Sequence, residues 1–205
     1  MLEVSGLMGV RGERRLFRDL SFRLQPGELL HLAGTNGAGK TTLLRMLCGL
    51  TEPEAGQIRW QGQSIRELGE AFGEALTYVG HANGLSGELT VTENLAAEQQ
   101  LRGGNAETLQ HAMHALALEG LADLPAKSLS QGQKRRLALA RLLIAPRPLW
   151  ILDEPFTALD TQSSARLAEI VERHLDGGGL VALTSHQELR FTRATLVTVT
   201  LSRGS

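Results

Sequence analysis

The feature that most constrains this chain is the octapeptide Gly34-Thr35-Asn36-Gly37-Ala38-Gly39-Lys40-Thr41. It follows an apolar run, Glu28–Ala33, that reads as a strand. It opens a stretch of helical spacing, Lys40–Cys48, that closes at Gly49. A glycine loop in that setting lets anionic oxygen approach the backbone. Consecutive N–H groups wrap the anion, only glycine permits the closeness, and the helix N-terminus adds the positive end of its dipole. Lys40 supplies a mobile positive charge, Thr41 a hydroxyl for Mg²⁺, and Thr42 continues the first helical turn. Residues 34–42 are therefore expected to bind the phosphates of a nucleotide. A glycine turn without a ligand is the bland alternative, and the strand and helix on either side weigh against it.

Around this loop, short branched apolar runs alternate with helical patterns, which predicts an α/β fold with a largely parallel sheet. Leu2–Leu7 and Leu16–Leu24, split by the polar turn Arg11–Arg15, read as antiparallel strands, and Gln57–Trp60 and Leu76–Val79 as further strands. From about His81 to Ala145 the strand signal vanishes. Thr92–Leu101, Ala106–Leu118 and Gln131–Ile144 space leucine and alanine helically instead, which predicts an inserted helical subdomain. Leu149–Leu152 and Leu180–Thr184 read as central strands buried on both faces, and Thr195–Leu201 as an edge strand.

Leu149-Trp-Ile-Leu-Asp153-Glu154-Pro155 is an apolar strand ending in two acids. Beside a phosphate loop, Asp153 at such a strand end is expected to hold Mg²⁺, and Glu154 to polarise the attacking water. Trp150 reads as core packing. Leu129-Ser130-Gln131-Gly132-Gln133 opens the helix ending at Ile144, and by itself Ser130 is a helix N-cap.

In combination these segments say more. The phosphate loop, LSQGQ, ILDEP, Ala158-Leu159-Asp160 and a late His186, in that order, resemble the ATP-binding cassette (ABC) proteins over nearly the whole chain. The resemblance implies a P-loop NTPase with a RecA-like parallel-sheet core, an N-terminal antiparallel β subdomain and a helical insertion. Residues 1–205 would form one ABC ATPase domain, with core and antiparallel parts in 1–80 and 146–205 and the helical subdomain at about 81–145. It further implies ATP hydrolysis with Mg²⁺ in a sandwich homodimer. Ser130, the Gly132 backbone and Gln133 would then address the ATP held by the partner's phosphate loop. Asp160 would lie at the dimer seam, and His186 would hold the γ-phosphate and the attacking water.

Two departures from the family pattern stand out. A glutamine usually follows the strand read at Leu76–Val79. Here the sequence is Tyr78-Val-Gly-His81-Ala-Asn83, so His81 or Asn83 substitutes for it, the contact runs through water, or His81 merely caps the strand. An aromatic residue usually stacks on adenine near the first hairpin. Here Arg11 or Val10 occupies that neighbourhood, with Phe17 the nearest aromatic, and a guanidinium can stack on a base.

Several segments are similar to one branch, the haem-exporter ATPase subunits of bacterial cytochrome c maturation. They are Leu16–Phe22, Leu43–Leu50, Gly80–Gly84, Trp150–Asp160 and Thr184-Ser-His186-Gln187. That branch implies integral membrane partners on the cytoplasmic face of the bacterial inner membrane, received in a groove involving Gly84–Leu95, with Leu85, Leu89 and Leu95. Those leucines serve equally well as core. The alternatives are an ABC transporter for another substrate and a soluble, non-transport ABC ATPase. No NKxD-type base reader of a GTPase is present, and a small-molecule kinase has no use for LSQGQ.

Composition bounds the rest. The 205 residues predict one domain with a core that needs no disulfide or structural metal. One cysteine, Cys48, excludes an intrachain disulfide and reads as a small buried apolar group. The balance of 21 basic and 22 acidic residues argues against a general nucleic-acid binder. No run is long and apolar enough to span a membrane, and the N-terminus lacks a signal peptide's apolar core. His111 and His114 are spaced i, i+3 without an evident third ligand, so they read as surface histidines.

Overall fold

The computed structural model describes residues 1–186 and 191–202; Gln187 lies outside the described residues. Two sheets organise the chain. Strands β1 (Leu2–Arg11), β2 (Arg14–Leu24), β4 (Ala55–Trp60) and β5 (Gln63–Ser64) form an antiparallel sheet in the order β2-β1-β4-β5. Strands β3 (Glu28–Gly34), β6 (Leu76–Val79), β7 (Leu149–Leu152), β8 (Leu180–Thr184) and β9 (Thr195–Leu201) form a parallel sheet in the order β6-β7-β8-β3-β9.

Side-chain alternation assigns each face of the parallel sheet to its own core. Leu149 and Ile151 of β7, with Leu30 and Leu32 of β3, pack against helix α1 (Lys40–Leu47) and the antiparallel sheet. Trp150 and Leu152, with Val181 and Leu183 of β8, face the other way. They pack against residues of α4 (Val91–Arg102), α5 (Ala106–Ala115), α6 (Gln131–Ile144) and α7 (Thr161–Asp176). Both β7 and β8 are buried along their whole length, which is why they read as unbroken apolar runs. Strand β9 closes the sheet edge with a mostly exposed pattern, as its weak alternation predicts.

The structure corrects the sequence reading in several places. The polar turn expected over Arg11–Arg15 is tighter, because β1 runs to Arg11 and β2 resumes at Arg14. The helix expected to end at Leu118 stops at Ala115. Ala117 adopts a left-handed φ of 50°, and Arg136 Nη1 donates to the carbonyls of Leu116 and Ala117. Helix α7 is absent from the sequence reading although Leu167, Ile170, Val171 and Leu175 give it an apolar stripe. Strand β5 and the short helices α2 (Ile65–Leu68) and α3 (Glu70–Ala75) are too brief for periodicity to reveal.

The topology positions the site. Strand β8 lies between β3 and β7, so the loop after β3, the acids after β7 and the end of β8 converge at the carboxyl ends of three parallel strands. Ligands of open parallel sheets bind at such an edge.

Candidate nucleotide site

A cavity of about 450 Å³ opens there. The loop between β3 and α1 contributes Thr35, Asn36, Gly37, Gly39, Lys40, Thr41 and Thr42 to its wall. Gly34 starts this loop at φ 143°, and a Cβ there would lie 2.5 Å from the Leu201 carbonyl of β9, so no other residue fits. Ala38 is buried behind the loop. Lys40 is itself buried, and its ammonium donates to the carbonyls of Gly34 at 2.7 Å and Thr35 at 3.4 Å. Its charge is thus held within the loop by neutral oxygens.

The opposite wall is built from Asp153, Glu154 and His186, joined by short contacts. Asp153 is 2% exposed. Its Oδ2 accepts from the Thr41 hydroxyl at 2.9 Å and its Oδ1 from the Thr184 hydroxyl at 2.8 Å. The same Thr184 oxygen accepts from the Glu154 backbone N–H at 2.9 Å. Glu154 Oε2 accepts from the His186 N–H at 3.1 Å, and His186 Nε2 lies 3.4 Å from Glu154 Oε1. Glu154 Oε1 is buried and has no hydrogen-bond partner among the described residues. Glu154 also holds a left-handed φ of 51°, which costs on the order of 1–3 kcal/mol in a non-glycine residue. Its N–H on Thr184 and its carbonyl on Arg135 Nη2 at 2.9 Å fix that conformation.

Arg11, Leu16, His81 and Thr157 also line the cavity, so both residues singled out at the family departures face the same cavity as the phosphate loop. Phe17 does not serve as a base platform: it is 1% exposed, with its ring packed over Gly9. Thr41 and Asp153 offer a hydroxyl and a carboxylate oxygen within hydrogen-bond distance of each other. Such hard oxygen donors fit Mg²⁺.

None of Ser130, Gly132, Gln133 or Asp160 is among the described residues that line this cavity. Ser130 caps α6 in a capping box: its Oγ accepts from Gln133 N–H at 3.2 Å, and Gln133 Oε1 accepts from Ser130 N–H at 2.8 Å. The Gln133 side chain is therefore occupied in the cap. Gly132 packs on the Ala158 carbonyl, which would lie 2.7 Å from a Cβ, so this glycine is required inside its own chain. Asp160 caps α7 by accepting from Ser163 N–H at 2.7 Å, and that bond holds its carboxyl below the usual range. Burial pushes the Cys48 thiol and the Tyr78 hydroxyl up to about 12 each, which makes Cys48 a poor nucleophile.

The leucines of Gly84–Leu95 separate on inspection. Leu95 is 1% exposed in the core and presents no surface, Leu85 is partly covered, and Leu89 is exposed. Trp150 is core, with its ring stacked on His174 at 3.7 Å. His111 and His114 are exposed, and His114 Nδ1 lies 2.7 Å from Glu119. Sequence reasoning missed Thr184 and Arg135, because a threonine ending an apolar strand and an arginine in a helix carry no signal of the contacts they make.

A family model described as ABC transporter matches residues 17–157. The chain belongs to the ABC transporter family. Among its ABC relatives is the cytochrome c biogenesis ATP-binding export protein CcmA of Dechloromonas aromatica, 52% identical over 96% of this chain and 97% of that one. The protein of the same description from Pseudomonas aeruginosa is 49% identical over 92% of this chain and 94% of that one. Identity at that level over almost the full length places the chain with the ABC export ATP-binding proteins of this group. A solved ATP-binding subunit of an ABC transporter superposes with a TM-score of 0.82 at 27% identity, over 91% of this chain and 79% of that one. A dimeric ATP-binding cassette captured after hydrolysis with ADP and phosphate shares the ABC fold at TM-score 0.81 and 21% identity, over 91% of this chain and 88% of that one. Among the described residues, no helix is long and apolar enough to cross a membrane.

Proposed function

We propose that this chain is the ATP-hydrolysing subunit of the haem-export, or haem-chaperone release, complex of cytochrome c biogenesis. It works as a homodimer in its ATP-bound state, attached peripherally to integral membrane subunits on the cytoplasmic face of the bacterial inner membrane. Residues 1–205 act as one ATPase domain, with core and antiparallel parts in 1–80 and 146–205 and a helical subdomain at about 81–145. The observation that carries the ATPase reading is the chain of contacts from Thr41 through Asp153 and Thr184 to Glu154 and His186 at the rim of the phosphate-loop cavity.

In this reading the loop N–H groups of residues 34–42 hold the β- and γ-phosphates, and Lys40 exchanges its carbonyl partners for phosphate oxygens. Thr41 and Asp153 would hold Mg²⁺, which when bound would neutralise charge developing on the phosphates. Glu154 Oε1, buried beside His186 Nε2, orients the attacking water and takes its proton. His186, beside that carboxylate, contacts the γ-phosphate. Arg11 supplies a flat cation for the base, and His81 stands where a glutamine is usual. Ser130, Gly132 and Gln133 lie off the chain's own cavity, which supports a role on the partner's ATP with Asp160 at the seam.

The test is purification from membranes with the integral partners attached, followed by assays of ATP turnover and bound haem. Lys40→Ala should remain attached and lose turnover. Near-normal turnover would reject the phosphate-loop assignment, and attachment to the membrane subunits of a different transporter would reject the haem-export assignment.

A further inference from the structure

Arg135 stands one turn into α6 and is 4% exposed. Its guanidinium makes no ion pair among the described residues. It donates to neutral oxygens of two separate segments. From the segment that follows β6 it takes Gly80 O at 2.8 Å and Asn83 Oδ1 at 3.2 Å. From the loop that follows β7 it takes Asp153 O at 2.8 Å, Glu154 O at 2.9 Å and Pro155 O at 3.3 Å. A planar fork of five donors can serve all five of these oxygens on two segments, whereas an ammonium has only three donors.

A buried cation whose hydrogen-bond acceptors are neutral is costly, since burial works against its charge, although the nearby Asp153 and Glu154 carboxylates offset part of this. What the arrangement achieves is a rigid bridge. Arg135 ties Asn83, beside the cavity-lining His81, to the carbonyl of Glu154, the residue held at φ 51°. Arg141 of the same helix adds a second tie to the Asn83 carbonyl at 3.2 Å. Residues 80–83 and the backbone that carries the Glu154 carboxylate are thus held by one guanidinium.

We propose that Arg135 is a positioning residue for hydrolysis: it couples the Gly80–Asn83 segment to the orientation of Glu154, without touching nucleotide. The proposal rests on the reading of Glu154 as the residue that orients water. It assigns to Arg135 and Asn83 the mechanical link that His81, exposed on the cavity wall, does not make among the described residues.

The experiment measures turnover at saturating ATP and the affinity for a fluorescent ATP analogue, using the full chain in complex with its membrane subunits. Arg135→Gln should lower turnover by about ten-fold or more while leaving affinity within about two-fold, the split expected when only the reacting geometry is disturbed. Asn83→Ala should lower turnover by about three-fold, and Asn83→Asp, which keeps an acceptor facing the guanidinium, should recover most of that loss. Arg135→Lys should not rescue. Full turnover in both Arg135→Gln and Asn83→Ala, or equal rates for Asn83→Ala and Asn83→Asp, would overturn the proposal. If Arg135→Gln fails to fold, the Asn83 pair decides. Glu154→Gln run alongside separates the two readings: if it hydrolyses like the wild type, the assignment of Glu154 fails; if it is inactive while the Arg135 and Asn83 variants are normal, only the coupling fails.

Discussion

Thr184 offers the sharpest quantitative test of the site. It ends β8, is fully buried, and its single hydroxyl serves two neighbours, donating to Asp153 Oδ1 at 2.8 Å and accepting from Glu154 N–H at 2.9 Å. Thr184→Val keeps the shape and removes both bonds. The lost bond to a charged carboxylate is worth about 1.5–3 kcal/mol, and a buried N–H left unpaired costs about 1–3 kcal/mol. Allowing for the gain from an apolar methyl, the expected loss of folding stability is about 3 kcal/mol. Thr184→Ser retains the hydroxyl and should lose only about 1 kcal/mol, the contribution of one buried methyl. Urea unfolding at neutral pH without nucleotide measures both, and turnover should fall in the valine variant because Glu154 is no longer pinned. Valine and serine variants of equal stability and equal turnover would refute the reasoning.

Two further predictions concern packing and pH. Gly132→Ala should destabilise the nucleotide-free protein, because its Cβ meets the Ala158 carbonyl; if thermal unfolding is unchanged, that glycine serves ligand approach alone. His174 is pushed down to about 4 by burial against Trp150, from 6.5 in the unfolded chain. The unfolded chain therefore takes up a proton between pH 6.5 and 4 that the folded one refuses. Stability is retained above pH 6.5 and falls as pH drops through this window, by up to about 3 kcal/mol from this group. His174→Asn should flatten the stability profile there, and parallel wild-type and variant profiles would remove His174 as the cause.

The legible parts of the fold were those with long, unambiguous patterns. Strands β7 and β8 and helix α6 read directly, because continuous burial and helical spacing leave few alternatives. The hairpin between β1 and β2 was harder, since arginines at 11, 14 and 15 look like loop although two-stranded pairing continues through them. At the site, the gathering of Lys40, Thr41, Asp153 and Glu154 around one cavity is legible because local motifs announce them. Thr184 and Arg135 were not, since each acts by reaching groups tens of residues away in sequence. The bland reading of Ser130 as a cap holds in the single chain, and any role on a second chain's nucleotide is invisible in it.

The most direct test of the central claim is sedimentation of Glu154→Gln with ATP and Mg²⁺. If Glu154 takes the water's proton, removing its carboxylate should leave nucleotide binding intact and block hydrolysis, so the variant should accumulate as an ATP-bound dimer while the wild type does not. A variant that stays monomeric with ATP, in a preparation whose intact complex still hydrolyses it, would contradict both the role of Glu154 and the ATP sandwich.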